Sequence, residues 1–486
     1  MDAAAIERLQ DTVTDGRPES LRFRQNQLHA LHLALRTNAA DICAAMAKDT
    51  GFSAAEVDAE FYLAMEAVAH FYDGIDFQKA LEDEYAVVAA KDHAGRRLGA
   101  GLVVLRPTSH TRFFSVVSPL AAALAAACCV ALELQDSLLN LDALLRKILP
   151  NALDPNVFCI TSTITDAAIL SSSTLVDQTS SASSSLTTQL LSSSSHRAVA
   201  VVDRTADLDA AARAITAARF SFGGMSPYAP DLVLVNEYVK KDFFEACSRY
   251  ATLTFARETG VKRVDKNQSE ESSRAIQEAE SKRVATSFGS SDFKLVDVKD
   301  RDATIANIKI KGRFLPIMTC TSLLDAVYNN GQASSQPLLA SYCFAAADSA
   351  KYLSQHIPAH VSCINQIPRH LLVGPAAPTA HAPDLHHRYS TRMFSVARPQ
   401  FVEAPPAALL QVEKLLDGEA QAQSVRALAT KPLKPTGQPK NDFPGFFEVG
   451  FMTGFGITLS MVLPLVGYGT YILGRRGLEY ALKMRA

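Results

Sequence analysis

An α/β fold built on parallel sheets and followed by one C-terminal transmembrane helix is what this 486-residue chain predicts. Three observations carry that expectation. Short, apolar, β-rich runs recur along the chain. Helix-period segments separate them, and such alternation indicates parallel sheets with helices on their faces. Finally, Val449 to Leu473 contains no charged residue. As a helix it is roughly 37 Å long at about 1.5 Å per residue, enough for a hydrocarbon core of about 30 Å.

Residues 1 to about 80 read as helices. Leu28, Leu31, Leu35 and Ile42 recur at helical spacing, as do Phe61, Met65, Val68 and Tyr72, with charges on the other faces. Leu102 to Leu105 reads as a strand after Gly99 and Gly101. Pro107, a loop and an alanine-rich helix starting at Pro119 follow. The run Phe113 to Leu132 is also uncharged, but Ser115, Ser118 and Pro119 interrupt it. It is read as a buried helix on a sheet, not a second span. Val130 to Leu134 and Val157 to Thr161 read as strands, with a helix near Leu139 to Leu149 between them. About half of Ser171 to Ser195 is serine, which predicts a solvated loop. Order resumes with the strand Ala198 to Asp203 and a helix carrying Leu208, Ala212 and Ile215. Leu232 to Val235, Leu315 to Cys320 and Leu338 to Phe344 read as strands. The charged stretch Glu258 to Arg283 reads as a surface excursion of helix and loop, and Pro375 to Pro383 as a loop. The expected divisions are 1–80 (helical), 81–205 and 206–402 (two α/β domains), 403–446 (Pro-rich linker), 447–475 (anchor) and 476–486 (basic tail).

Net charge is −2, with 48% hydrophobic and 20% charged residues, so electrostatics gives no case for nucleic acid. Eight cysteines without regular spacing form no disulfide framework, and no CxxC pair supports a zinc ribbon. Cys128, Cys129 and Cys247 read as buried thiols. The opening MDAAAIERLQDTVTD is polar and acidic, unlike a signal peptide. A Pro- and Lys-bearing linker (Lys431 to Gly445) precedes the span, and a short basic tail with Arg475 and Arg476 follows it. Pro464 inside the span is tolerated in a membrane helix. This arrangement predicts a single C-terminal anchor contacting lipid through Val449 to Leu473. The body would lie in the cytosol, with the endoplasmic reticulum as the default membrane. Gly450 and Gly454 have the spacing of a membrane-helix contact, which chance explains equally well.

The segment with most bearing on function is Phe222 to Val239, FGGMSPYAPDLVLVNEYV. Gly223 and Gly224 lead into Ala229-Pro230-Asp231, and a strand follows. Further motifs stand in order around it: Arg24, Gln27, Leu28, Leu31 and Leu35; Asp49-Thr50-Gly51; Pro119-Leu120 with its alanine helix; Asp203 through Ala211; Leu315-Pro316-Ile317; and Arg388-Tyr389-Ser390 with Phe394-Ser395. From about Arg24 to Val402 the chain resembles the aldehyde dehydrogenase family, in particular its class-3 or fatty aldehyde dehydrogenase branch. The resemblance implies a Rossmann-like domain, a second α/β domain bearing the catalytic loop, and NAD or NADP as cofactor.

Against that family the departures fall on the chemistry. The nucleophilic cysteine, which covalent capture of an aldehyde requires, falls on Pro227. The asparagine that holds the oxyanion falls on Ser109. The general-base glutamate lands near Ser193, and no Glu or Asp stands between Asp177 and Asp203. The lysine that touches the adenosine ribose falls on Glu133. The segment that holds the nicotinamide ribose becomes KIKGR, with Lys309 and Lys311 at its glutamate and phenylalanine. The phosphate-side glycine turn falls in the serine-rich region, which contains no glycine. Ser226 could replace the nucleophile only with an activating base, and no nearby motif supplies one. His381, His386 and His387 lie in a Pro-rich loop without carboxylate or cysteine partners, and a solvated loop is the simpler reading. The chain is therefore expected to be a membrane-anchored relative with no intact catalytic or cofactor residue, no cofactor and no metal. It would act as a binding or scaffold subunit, a homodimer or a partner of an active relative. The alternative is a membrane-bound oxidoreductase of long-chain or isoprenoid aldehydes using NAD or NADP.

Overall fold

A computed structural model of the chain describes residues 3–134, 138–179, 189–192, 194–257, 270–290, 292–331, 337–384, 386–437 and 445–484. It divides into two compact units, 1–403 and 404–486.

The first unit opens with the expected helices, Ala3–Asp15, Leu21–Thr37, Ala39–Thr50, Ala54–Asp73 and Phe77–Glu84. Their apolar faces are buried, with Leu28, Leu31, Leu35 and Ile42 fully so. Helix Ala54–Asp73 starts on a capping box. Ser53 Oγ accepts the Glu56 N–H, and Glu56 Oε2 accepts the Ser53 N–H at 2.8 Å.

Among the described residues, fourteen strands follow. A short antiparallel ribbon pairs β1 (Arg97–Gly99) with β14 (Ser395–Ala397). A five-stranded sheet contains β2 (Leu102–Arg106), β3 (Cys129–Glu133), β4 (Phe158–Thr161), β5 (Thr174–Asp177) and β6 (Gln189–Leu191). Every pairing in it is parallel, in the order β4-β3-β2-β5-β6. This is the Rossmann-like order, which opens a ligand crevice at the carboxyl ends of its strands. The seven-stranded sheet contains β7 (Ala198–Val202), β8 (Leu232–Asn236), β9 (Ala285–Gly289), β10 (Lys294–Val298), β11 (Phe314–Cys320), β12 (Leu338–Phe344) and β13 (Ala359–Ile364). Its order is β13-β12-β7-β8-β11-β10-β9, and only the edge pair β9–β10 is antiparallel. The central strands β7, β8 and β12 are buried at every residue, as continuous apolar runs in parallel sheets require.

Three expectations need correction. The alanine-rich helix runs Arg112–Ala125, so Pro119 lies inside it. A proline there leaves the carbonyl of Ser115 without its helical donor, and Gln178 Nε2 takes that carbonyl at 3.0 Å. The serine-rich segment is not all loop. Thr174–Asp177 and Gln189–Leu191 form strands, because the Thr-Leu-Val run is buried between its neighbours. Its residues 180–188 and 193 lie outside the described residues. Third, His387 is not solvated: its ring stacks on His70 with centroids 3.6 Å apart, and Glu66 lies 3.8 Å away. Among the described residues no His, Cys, Asp or Glu cluster could hold a metal.

Other expectations hold. Helix Arg112–Ala125 is buried and packs within the core, and Cys128, Cys129 and Cys247 are buried. Within the charged stretch, Glu270–Ser281 is a helix whose inner face (Ser272, Ala275, Ile276, Ala279) is buried. Residues 258–269 lie outside the described residues. Pro375 to Pro383 forms no helix or strand, though residues 375–378 are buried. The second unit contains helices Ala407–Leu416 and Ala422–Ala429 and the long helix Phe446–Lys483. Phe446–Arg476 is long and apolar enough to cross a membrane, and none of its most apolar stretch is buried.

Glu60, on helix Ala54–Asp73, is 1% exposed and accepts the Phe114 N–H at 3.2 Å with one oxygen. Burial pushes its carboxyl up to about 7. A carboxyl raised in the fold binds its proton more tightly folded than unfolded, so stability should fall as pH rises from about 4.5 to about 7. Glu60→Gln should remove that component, worth roughly 3–4 kcal/mol at about 1.4 kcal/mol per pKa unit. Denaturant melts of both proteins between acid and neutral pH check this; parallel pH profiles would refute it.

Candidate functional site

The carboxyl ends of β2, β3, β4 and β5 open onto a cavity of about 620 Å³. Arg106 and the segment Pro107-Thr108-Ser109-His110 extend from β2. Glu133 ends β3, Thr163 follows β4, and Gln178 and Thr179 follow β5. Met225, Pro227, Lys309, Lys311 and Pro375 complete the wall with Ser194. Five of the six positions picked out in the sequence, Ser109, Glu133, Pro227, Lys309 and Lys311, thus line one cavity. Ser193 lies outside the described residues. A second cavity of about 420 Å³, bordered by Glu19, Arg24, His70, Arg97 and His387, gathers none of them.

The loop that presents Pro227 is sharply turned. Phe222, Gly223 and Gly224 all have positive φ, of 51°, 64° and 69°. A Cβ on Gly224 would lie 2.1 Å from the carbonyl oxygen of Gly312, so glycine is required there. Glu56 Oε1 accepts the Phe222 N–H at 2.6 Å, which ties the loop to the N-terminal helices. Ser226 is a buried turn residue whose Oγ accepts the Tyr228 N–H.

Asp231 anchors the far end of this loop. Its carboxylate is fully buried and accepts the Ala198 N–H at 2.7 Å and the Ile310 N–H at 3.0 Å. Lys309 Nζ reaches it at 2.8 Å, and Arg219 Nη1 lies 3.5 Å away. The Lys309 ammonium also donates to the Pro227 carbonyl. Arg219 Nη2 donates to the carbonyls of Gly224, Ile310 and Gly312 at 3.0, 2.8 and 2.7 Å. Burial brings the Arg219 guanidinium down to about 10, with Asp231 opposing the shift, and lowers Lys309 for the same reason. Lys309 therefore braces the loop from beneath.

At the other end of the cavity Arg106 holds Glu133 through both oxygens, at 2.7 and 3.2 Å, and lies 3.5 Å from Asp177. These bonds raise the Arg106 guanidinium above its usual range, the Glu133 hydrogen bond most of all. Glu133 Oε1 also accepts the Ile164 N–H at 3.0 Å. Arg112 grips Asp142 through two 3.0 Å bonds and donates to the Pro107 and Thr108 carbonyls at 2.7 and 3.1 Å. Gln178 Oε1 accepts the Thr108 N–H at 3.1 Å.

His110 is the feature of this wall that sequence reasoning missed. Its Nε2 faces the Leu372 carbonyl at 2.9 Å, and a carbonyl can only accept, so Nε2 carries the proton. Its Nδ1 is shielded from solvent and has no partner. Burial lowers the imidazole to about 4, so it is neutral at pH 7. Arg106 was also missed. The parallel register that pairs Leu105 with Leu132 sets it beside Glu133 on the adjacent strand, and that register is visible only in the structure.

The aldehyde dehydrogenase family model matches residues 3–306. The chain belongs to the aldehyde dehydrogenase family, whose members use NAD(P). Solved structures agree on the fold. AldH of Staphylococcus aureus, in a substrate-bound state, matches with a TM-score of 0.67 at 18% identity, covering 88% of this chain and 100% of that one. The aldehyde dehydrogenase KauB of Pseudomonas aeruginosa matches with a TM-score of 0.65 at 16% identity, covering 82% and 88%. A glyceraldehyde-3-phosphate dehydrogenase of Methanocaldococcus jannaschii, complexed with NADP, matches with a TM-score of 0.63 at 13% identity, covering 82% and 93%. Comparison with curated protein sequences finds no match.

Lys309→Met should destabilise the fold by roughly 2–4 kcal/mol, because it strips one cation from a buried carboxylate. Lys309→Glu should cost more, since it sets a second carboxylate against Asp231. Lys311→Met, at an exposed position, should stay within about 0.5 kcal/mol of the parent. Urea denaturation of the four proteins measures the order; equal midpoints would refute the bracing role.

Proposed function

We propose that the chain is a membrane-anchored aldehyde dehydrogenase homologue, similar to the class-3 branch, that does not oxidise aldehydes with NAD(P). It serves as a binding or scaffold subunit, alone or paired with an active relative. The observation that carries this reading is the convergence of the five divergent positions on one cavity. Pro227 offers neither a thiolate nor an N–H for an oxyanion. Lys309 is committed to Asp231 and the Pro227 carbonyl. Glu133 is committed to Arg106 and the Ile164 N–H.

The lining does not suit a dinucleotide. Where the family has a lysine for the adenosine ribose, a carboxylate stands, already paired. Each lost charge-assisted contact is worth about 1.5–3 kcal/mol. Two or three losses take an ordinary micromolar affinity to a dissociation constant above roughly 1 mM. The helix Phe446–Arg476 supports lipid attachment. The body then sits in the cytosol, with the endoplasmic reticulum as the membrane. The competing reading is oxidation of long-chain aldehydes, supported by the same helix as a means of lipid attachment. Against it, thirteen of the eighteen residues lining the cavity are polar or charged.

Two measurements test these readings. The full chain should sediment with membranes and resist carbonate extraction; recovery in the supernatant would remove the anchor. Purified protein should form no NADH from hexadecanal or farnesal, and Pro227→Cys alone should not restore it. Turnover by the native chain above a heat-killed control would establish the oxidoreductase instead.

A further inference from the structure

We propose that the segment 421–440, which precedes the membrane-length helix, binds the anionic headgroup surface of a phospholipid bilayer through Arg426, Lys431, Lys434 and Lys440. The inference deepens the anchored reading above and rests on it.

Charge selects the partner. Between Ala420 and Asn441 stand those four cations and no Asp or Glu. Arg426, Lys431 and Lys434 are exposed, and among the described residues none of the three pairs with a carboxylate. The stretch just before is opposite in sign, because Glu413, Asp417 and Glu419 outnumber Lys414. The first helix of this unit, Ala407–Leu416, therefore stays out of the proposed surface. Asp442 and Glu448 follow the basic segment, which leaves four cations against two carboxylates at the entry to the long helix. A Lys or Arg held near an anionic leaflet favours the bound state by about fivefold.

Apolar side chains stand among the charges, and a lipid interface takes both. In helix Ala422–Ala429 the residues Ala422, Val425, Leu428 and Ala429 share one side, with Arg426 at its border. No residue of this helix is buried. An apolar strip flanked by a long cationic side chain lies in a headgroup layer with the strip down and the charge among the phosphates. Past the helix comes Lys431-Pro432-Leu433-Lys434-Pro435, where Leu433 is 97% exposed. The prolines favour polyproline II, whose period of about three residues sets Lys431 and Lys434 on one edge. That backbone makes no internal hydrogen bonds, so it must stay hydrated. The segment is thereby kept at the depth of the headgroups and out of the hydrocarbon.

The chain contains no tryptophan, so full-length Leu433→Trp carries a single reporter at an exposed position. It is reconstituted into vesicles of phosphatidylcholine, alone or with about one-fifth phosphatidylserine. In the anionic vesicles its emission should shift to the blue and be quenched by lipids brominated on the upper acyl chain. In the neutral vesicles it should stay that of a solvated indole. Arg426→Gln, Lys431→Gln and Lys434→Gln combined should weaken the contact about a hundredfold and abolish the shift. Lys431→Arg with Lys434→Arg should keep it. Salt at about 1 M, where the Debye length is about 3 Å, should abolish it too. Solvated emission in both kinds of vesicle would overturn the proposal, as would a shift indifferent to lipid charge and to the Gln substitutions. In either case protein that still floats with the vesicles keeps its anchor. Protein that floats with neither kind of vesicle would overturn the anchored reading, and this surface with it.

Discussion

The buried carboxylate of Asp231 is the point on which the site is built. It joins the first residue of β7, the approach to β11, and through Arg219 the helix that precedes the loop. Two cations and two N–H groups surround it, so its oxygens are answered although it is fully buried. The loop above it holds three successive left-handed residues. Such backbone persists only where its surroundings over-determine it, and Arg219 does so by taking the Gly224, Ile310 and Gly312 carbonyls. The sharp turn of this loop is thus held from beneath by Arg219.

A buried charge is likewise answered at the other end of the cavity. Glu133 is 3% exposed, and a lone carboxylate there would be unstable. Arg106 at the end of the neighbouring strand compensates it and reaches Asp177 on the other side. Both charges, Glu133 and Lys309, are satisfied by the protein itself. They are structural parts of the present cavity, and the groups left over for a ligand are few and mild.

Much of the architecture was legible in the chain. Central strands of parallel sheets are covered on both faces, so β7, β8, β11 and β12 announce themselves as apolar runs. The convergence of Ser109, Glu133, Pro227, Lys309 and Lys311 was legible only through the family resemblance, since spacing alone does not bring residues 109 and 311 together. What stayed hidden has physical causes. β5 and β6 are short and flanked by serine, so composition outweighed the few residues that pair. The partners of Glu133 and Lys309 lie 27 and 78 residues away, beyond any helical or strand period. His110 gave no signal, because what matters about it is which nitrogen the Leu372 carbonyl claims.

Pro119 and Gln178 form a linked pair with a consequence for how this chain can change. The proline withdraws a donor from the Ser115 carbonyl, and the glutamine supplies one, while also meeting Thr108 and Tyr389. An ordinary residue at 119 would bring back an N–H that could share the Ser115 oxygen with Gln178, since a carbonyl has two lone pairs. Any apolar residue at 178 would strand that oxygen in the core. Position 178 is therefore constrained while proline stands at 119, and position 119 is free of that constraint.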